Sequence, residues 1–339
     1  MPLARNVLSL YDSVRGFIQP LGEKGHNMRR SSVSTKTSPV RRALTDNAAD
    51  TVRGIGLAAL AYVIWTLGDT AAKWVLPSVG VALAMVWRGV FGTITVGAIA
   101  MAGGGFAGWR RLIPVRWQLV MVRSAMSSAV SIIWYIAWME MTLIDTYVVG
   151  FTAPLIMTLL AIPMLGERIR WRRALSTVVG FMGVLVMLQP GGDLWTPMVL
   201  LLMVGIVAMS VTRIMTRQLS VTETPECQAF WLLVSHIASG ILLLGLFPPT
   251  SETDALGWIL LVFLGISSGL AHCVYTQAYG LAPVSALAPY EYTMLLWGGL
   301  AGYIVFNEVP SWLTLAGAVI IAGAGLYNLH RERVRTAGE

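Results

Sequence analysis

The chain is 339 residues long, 56% hydrophobic and 12% charged, with 24 Lys and Arg against 17 Asp and Glu, and its mean hydropathy is +0.68. Soluble domains carry about a quarter of their residues as charges, so an ordinary soluble globule is excluded, and long apolar runs in place of short alternating segments exclude an outer-membrane barrel. The net charge of +7 fits the Lys and Arg excess of cytoplasmic loops in a membrane protein, and no nucleic-acid partner is expected.

Residues 1–53 are polar and rich in Ser, Thr and Arg, which predicts a disordered cytoplasmic tail. Arg29-Arg30 opens a Ser-rich stretch, but no short apolar segment follows closely, so a cleaved signal is not expected. Met1 and Met28 are both candidate starts. Apolar windows then recur near 54–76, 79–102, 117–141, 146–165, 174–189, 194–212, 227–247, 256–280, 284–306 and 311–329. Each is long enough to cross a hydrocarbon core of roughly 30 Å as a helix, which gives ten.

In the first window Trp65, Asp69 and Lys73 fall on one helical face. Asp69 and Lys73 can pair there, or Lys73 can reach for the outer interface. Arg88 lies deep in the second window and needs company, from Asp69, from Glu140 or from a polar cavity. Arg123 in the third is close enough to the cytoplasmic end to snorkel. Further along that window, Ser127, Ser131, Trp134 and Trp138 recur at i, i+4, i+7 and i+11. The fourth is interrupted by Thr152-Ala153-Pro154, a hinge candidate, since proline removes a helical hydrogen bond.

A tight Gly166-Glu167 corner follows, with Arg168, Arg170, Arg172 and Arg173 beside it. The fifth and tenth windows carry Gly180, Gly183, Gly317, Gly323 and Gly325, small residues suited to close helix packing. The eighth repeats the stripe of the third with Ser268, His272, Tyr275 and Tyr279 at the same spacing. The ninth is interrupted at Pro289, a second hinge candidate, followed by Tyr290, Glu291 and Tyr292, and runs up to Asn307-Glu308 where the first copy has Gly166-Glu167. His236 in the seventh window is a possible partner for Glu291.

If the N-terminus is cytoplasmic, 21 of the 24 Lys and Arg fall on that side, Arg213 and Arg217 among them in a cytoplasmic gap, and the other three (Lys73, Arg88, Arg123) lie inside windows. The outer gaps hold only Asp145, Asp193, Glu252, Asp254 and Glu308. That is a strong positive-inside pattern. Five windows per half is an odd number, so the halves, 54–190 and 194–329, have opposite orientations. The remaining 330–339 forms a second cytoplasmic tail. Inverted repeats typify secondary transporters, whose site lies between the halves at interrupted helices.

Cys227 and Cys273 lack metal-ligand spacing, the four His form no ligand pair, and there is no nucleotide-binding Gly-Lys-Ser/Thr loop. No catalytic residue, metal or cofactor is therefore expected. The expected substrate-binding set is Asp69, Lys73, Arg88, Ser131, Trp138, Thr152, His272, Tyr275, Tyr279, Tyr290, Glu291 and Tyr292. Its aromatics offer a stacking surface to a small organic solute, and Asp69, Glu291 or His272 is suited to a coupled proton. A membrane-embedded enzyme on a lipid-linked substrate, and a channel or receptor, remain open as alternatives. Monomer and homodimer are equally open.

Phe151-Thr152-Ala153-Pro154-Leu155, Leu165-Gly166-Glu167-Arg168, Glu291-Tyr292-Thr293, the run from Leu67 to Lys73 and Trp87-Arg88-Gly89 together resemble the drug/metabolite transporter superfamily, specifically its EamA family, over about 54–329. The resemblance implies an all-α integral membrane protein of ten transmembrane helices, arranged as two inverted five-helix repeats with both termini cytoplasmic. It implies a carrier for small organic solutes in a bacterial inner membrane, with a central cavity. The Asp-x-x-x-Lys pattern at Asp69 and Lys73 looks most like subgroups tied to riboflavin or S-adenosylmethionine.

Overall fold

A computed structural model describes residues 48–165, 171–188, 196–245, 253–309 and scattered positions between 312 and 327. The first 47 residues, the basic corner at 166–170, the turn around 190 and the tail 330–339 lie outside it. The elements within it are helical, and no strand occurs among the described residues.

The first element, α1, runs from Ala48 to Gly104 over 57 residues, so helix begins before the expected boundary at 54. It contains the first two windows as two arms that meet at Gly80, where φ is 71° and ψ is 166°. That conformation is open essentially to glycine alone. A 3-10 turn, Gly105–Leu112, leads towards α2, Trp117–Glu140. Met141 and Thr142 are extended, and Thr142 Oγ1 accepts the Asp145 N–H at 3.1 Å to start α3, Leu143–Gly150. Helix lapses at Phe151-Thr152 and resumes as α4, Ala153–Leu165, with α5, Trp171–Leu188, after the corner.

The second half starts cleanly because its caps are written into the sequence. Thr196 and Thr224 each cap a helix with proline next, and Asp254 caps a third. A side-chain oxygen there satisfies a free N–H of the first turn, and proline at the first position gives up nothing. The helices are α6, Pro197–Leu219, α7, Pro225–Leu244, and α8, Ala255–Leu281. Then the earlier corner recurs: Ala282 and Pro283 are extended, as Met141 and Thr142 are. A short α9, Val284–Leu287, passes through a 3-10 turn, Ala288–Tyr292, into α10, Thr293–Phe306.

Phe151 and Tyr292 stand the same ten residues beyond Met141 and Ala282, and their rings meet edge to face with centroids 5.6 Å apart. The two segments thus meet at corresponding distances from their corners. Core packing has the same character. α1 lies along α8 and α7, α2 along α6 and α7, α4 along α6, and α10 along α1 and α3, so these contacts join one half to the other. The outer surface is apolar, with Ile94, Val204, Leu242 and Leu296 well over half exposed. Among the described residues, five helices, counting α1 once, are long and apolar enough to cross a bilayer, or six if the bent α3–α4 pair is one span.

Two expectations need correcting. Arg213 and Arg217 do not sit in a cytoplasmic loop: α6 continues to Leu219, and both side chains are buried. Arg217 donates to the Tyr279 and Gly280 carbonyls at 2.7 and 2.9 Å, using acceptors that the end of α8 leaves free. Arg123 does not snorkel either, being only 3% exposed.

Candidate functional site

The helices that join the halves enclose a cavity with about 140 Å³ open to the centre of a water-sized sphere. One face of α2 supplies Arg123, Ser127, Ser131, Trp134 and Trp138, the expected stripe extended back by one turn. Across from it, α6 contributes Met209, Thr212, Arg213 and Thr216, again one helical face. Trp65, Asp69 and Arg88 come from the two arms of α1, His272 and Tyr275 from α8, and Tyr147 from α3. Glu291 enters from the 3-10 turn, where the interrupted backbone brings its carboxyl inward.

Charge is concentrated there. Arg213 forms a buried ion pair with Glu291 Oε1, so Arg213, not His236, is that carboxylate's partner. Arg88 donates to Ser268 Oγ at 2.8 Å and to the Tyr135 hydroxyl at 3.1 Å, in place of the expected tie to Asp69 or Glu140. Arg123 donates to Thr216 Oγ1 at 3.1 Å and to the Gln228 carbonyl at 2.9 Å. Asp69 accepts the Tyr147 hydroxyl at 2.9 Å. Buried polar atoms nearly always find partners, yet Glu291 Oε2, both ring nitrogens of His272 and the indole N–H groups of Trp134 and Trp138 have none here.

Aromatic rings form the walls. Trp65 packs against Tyr275 at 4.6 Å and edge-on to His272 at 4.9 Å, while Trp134 lies 6.0 Å from Trp138 and 6.2 Å from Tyr147. The Arg88 guanidinium lies 5.6 Å from the Tyr135 ring centre and that of Arg213 5.8 Å from the Tyr275 ring centre. Cations over ring faces gain most where water is excluded.

Of the expected binding set, Asp69, Arg88, Ser131, Trp138, His272, Tyr275 and Glu291 line the cavity. Tyr279 is fully buried just behind Tyr275, 4.5 Å ring to ring. Thr152, Tyr290 and Tyr292 are buried outside the lining, with Thr152 donating to the Val149 carbonyl and Tyr292 packed on Phe151. Pro154 is the second residue of α4, and Pro289 opens the 3-10 turn.

Lys73 does not pair with Asp69. It binds Glu308 at 2.6 Å and the Met141 carbonyl at 3.1 Å, away from the cavity. His236 bonds Ser131 and the Leu232 carbonyl. The sequence reading missed Arg123 and Arg213 as cavity residues. Arg123 stands four before Ser127, in register with the stripe, and that signal was available.

Against known proteins, the EamA-like transporter family matches residues 52–189 and again 196–328. The chain belongs to the EamA-like transporter family. As an EamA member it is a multi-pass membrane protein built of two repeats. It is 31% identical over 188 residues to an S-adenosylmethionine uptake transporter of Rickettsia prowazekii, a match covering 55% of this chain and 63% of that relative. Identity to a riboflavin transporter of Brucella anthropi is 28%, over 66% of this chain and 81% of that one. The pseudopaline exporter CntI of Pseudomonas aeruginosa is 24% identical over 80% of this chain and 94% of its own. A solved crystal structure, 19% identical, superposes with a TM-score of 0.66 over 82% of this chain and 95% of that one, which shows a shared fold.

Proposed function

We propose that this EamA protein is a secondary transporter that carries a small organic metabolite, an amino-acid, flavin or adenosyl-type solute, across the bacterial inner membrane by alternating access. The observation that carries this reading is the cavity itself: ion-paired and aromatic, built from both repeats and adjoining two interrupted segments. Such segments at matching places in two halves mark transporter binding sites. The relatives' uptake of S-adenosylmethionine and transport of riboflavin supply the solute class.

Ten spans, in two inverted sets over 54–190 and 194–329 with cytoplasmic tails 1–53 and 330–339, complete the proposal. The close approach of Phe151 and Tyr292 supports the two-fold relation between the sets. Asp69, Arg88, Ser131, Trp138, His272, Tyr275 and Glu291 contact the solute. Thr152, Tyr279, Tyr290 and Tyr292 shape the wall behind them. Lys73 holds the outer end closed through Glu308, with Pro154 and Pro289 at the segments that move. Chemistry on the solute is not part of this function.

The test is uptake of labelled S-adenosylmethionine and riboflavin by liposomes holding the purified protein. Saturable accumulation of either solute, lost in Glu291→Gln, is expected. Chemically altered solute, or leak that never saturates, would replace the carrier with the enzyme or the channel. Asp69, Glu291 and His272 are the groups that would carry a coupled proton; uptake indifferent to an imposed proton gradient removes that element.

A further inference from the structure

The cavity has a charge imbalance that points to one feature of its ligand. Three guanidiniums, Arg88, Arg123 and Arg213, line it against two carboxylates, Asp69 and Glu291. Glu291 is committed to Arg213. Arg88 and Arg123 are held by neutral acceptors only, two hydroxyls in one case and a hydroxyl and a carbonyl in the other. With Asp69 set against Arg88, one positive charge is left over, and a buried unpaired charge is costly.

Arg123 is where that charge falls. Its hydrogen-bond acceptor Thr216 stands three residues after Arg213 on α6, a rise of roughly 4.5 Å at 1.5 Å per residue. Arg123 is therefore anchored on α6 one helical turn from the residue that carries the second guanidinium. The unpartnered indole N–H groups of Trp134 and Trp138 line the same cavity, and an indole N–H can only donate. The leftover positive charge calls for an anionic acceptor, and the orphan donors, roughly 16 and 22 Å further along α2 by helix rise, are left for polar atoms of the rest of the solute.

We infer that the cavity recognises its solute through an anionic oxygen group, a carboxylate or a phosphate, seated between Arg123 and Arg213 with the rest of the solute against the aromatic walls. The inference rests on the transporter reading and narrows its solute class. A solute without an ionised oxygen group, such as riboflavin, leaves the site one negative charge short.

Two matched pairs test it on the purified full chain, by quenching of tryptophan fluorescence and by thermal stabilisation. One pair is S-adenosylmethionine and its decarboxylated form; the other is riboflavin 5′-phosphate and riboflavin. The member that carries the carboxylate or phosphate should, in at least one pair, bind roughly 10- to 100-fold more tightly, the range for a hydrogen-bonded charge. The responding pair tells carboxylate from phosphate.

Arg123→Gln should abolish the difference within that pair while hardly moving the weaker member, whereas a merely structural role would weaken both alike. Should that variant fail to fold, Arg123→Lys keeps the charge and should retain the preference in reduced form. The charge-neutral double variant Arg213→Gln/Glu291→Gln should shrink it as well. Equal binding within both pairs, a preference that survives Arg123→Gln, or no binding by either member that bears the carboxylate or phosphate overturns the inference. Uptake by liposomes of the members that lack that group would sink the anion site and leave the carrier standing. Selective binding of anions without transport of any solute would do the reverse.

Discussion

Arg213 and Glu291 are both nearly inaccessible and meet between α6 and the 3-10 turn, at the cavity wall. Breaking a buried pair by removing one partner costs about 3–5 kcal/mol, because the other charge is stranded. Arg213→Gln should therefore lower the unfolding midpoint sharply. The double variant with Glu291→Gln should recover most of the loss, read by thermal unfolding in detergent; a double variant no better than the single would show that the pair is not what matters. The Lys73–Glu308 pair has a different task. Glu308 also accepts the Leu143 N–H at 3.2 Å, so one carboxylate ties α1 and the start of α3 to the end of α10. Glu308→Gln keeps the shape but removes the charge; the pair is partly buried, at 13 and 14% exposure, and the amide can still accept from Lys73 and the Leu143 N–H, so the stability loss should be smaller than for Arg213→Gln, roughly 1–3 kcal/mol. Access should change more. A thiol reagent added from outside should label a Cys placed at Ser131 faster in Glu308→Gln than in the parent, and unchanged labelling would remove Lys73–Glu308 as an outer latch.

At the scale of the element, the breaks matter most. Gly80 turns the two arms of α1 against each other at φ 71°, with open space where a Cβ would stand. Crowding therefore plays no part, and Gly80→Ala should cost about 1–3 kcal/mol through backbone strain alone; a neutral result would show that the arms straighten without penalty. The sequence reading put the interruptions at proline, and proline proved a near but imperfect marker. Pro154 stands in the first turn of α4, where a missing N–H is harmless. The break itself falls at Phe151-Thr152. Asn307 shows the same logic from the other side. It lacks the Gly of the first corner yet adopts φ 54°, ψ 28°, and the Glu308 N–H closes back on the Gly302 carbonyl at 3.0 Å. Asparagine tolerates this left-handed cap, so the turn after α10 closes without a glycine. Another close approach is at Gly298, where a side chain would run into the Tyr147 ring. Gly298→Val should push Tyr147 off Asp69 and weaken solute binding, measured by titration of the purified variant, though neither residue pair shares a helix.

For the whole molecule, hydropathy was legible because every window must stay apolar whatever its partners are, and each window falls on helix in the described residues. Depth of charge was not legible. Counting Arg213 and Arg217 as cytoplasmic treated an arginine near a window's end as a loop residue, but a carboxylate from the ninth window and carbonyls from the eighth hold them inside. Those acceptors are far away in sequence, so no local pattern reveals them. Moving these two residues inward leaves the outer gaps without Lys or Arg, and the proposed orientation keeps its physical basis. It can be tested directly because Cys227 and Cys273 are both buried and offer little background to a thiol reagent. A Cys at exposed Ala255 should react with a membrane-impermeant maleimide in intact spheroplasts, while one at exposed Arg110 should react only after lysis. The opposite pattern would invert the protein in the membrane, move the Lys73–Glu308 tie to the cytoplasmic end, and reverse the direction in which that tie gates the cavity.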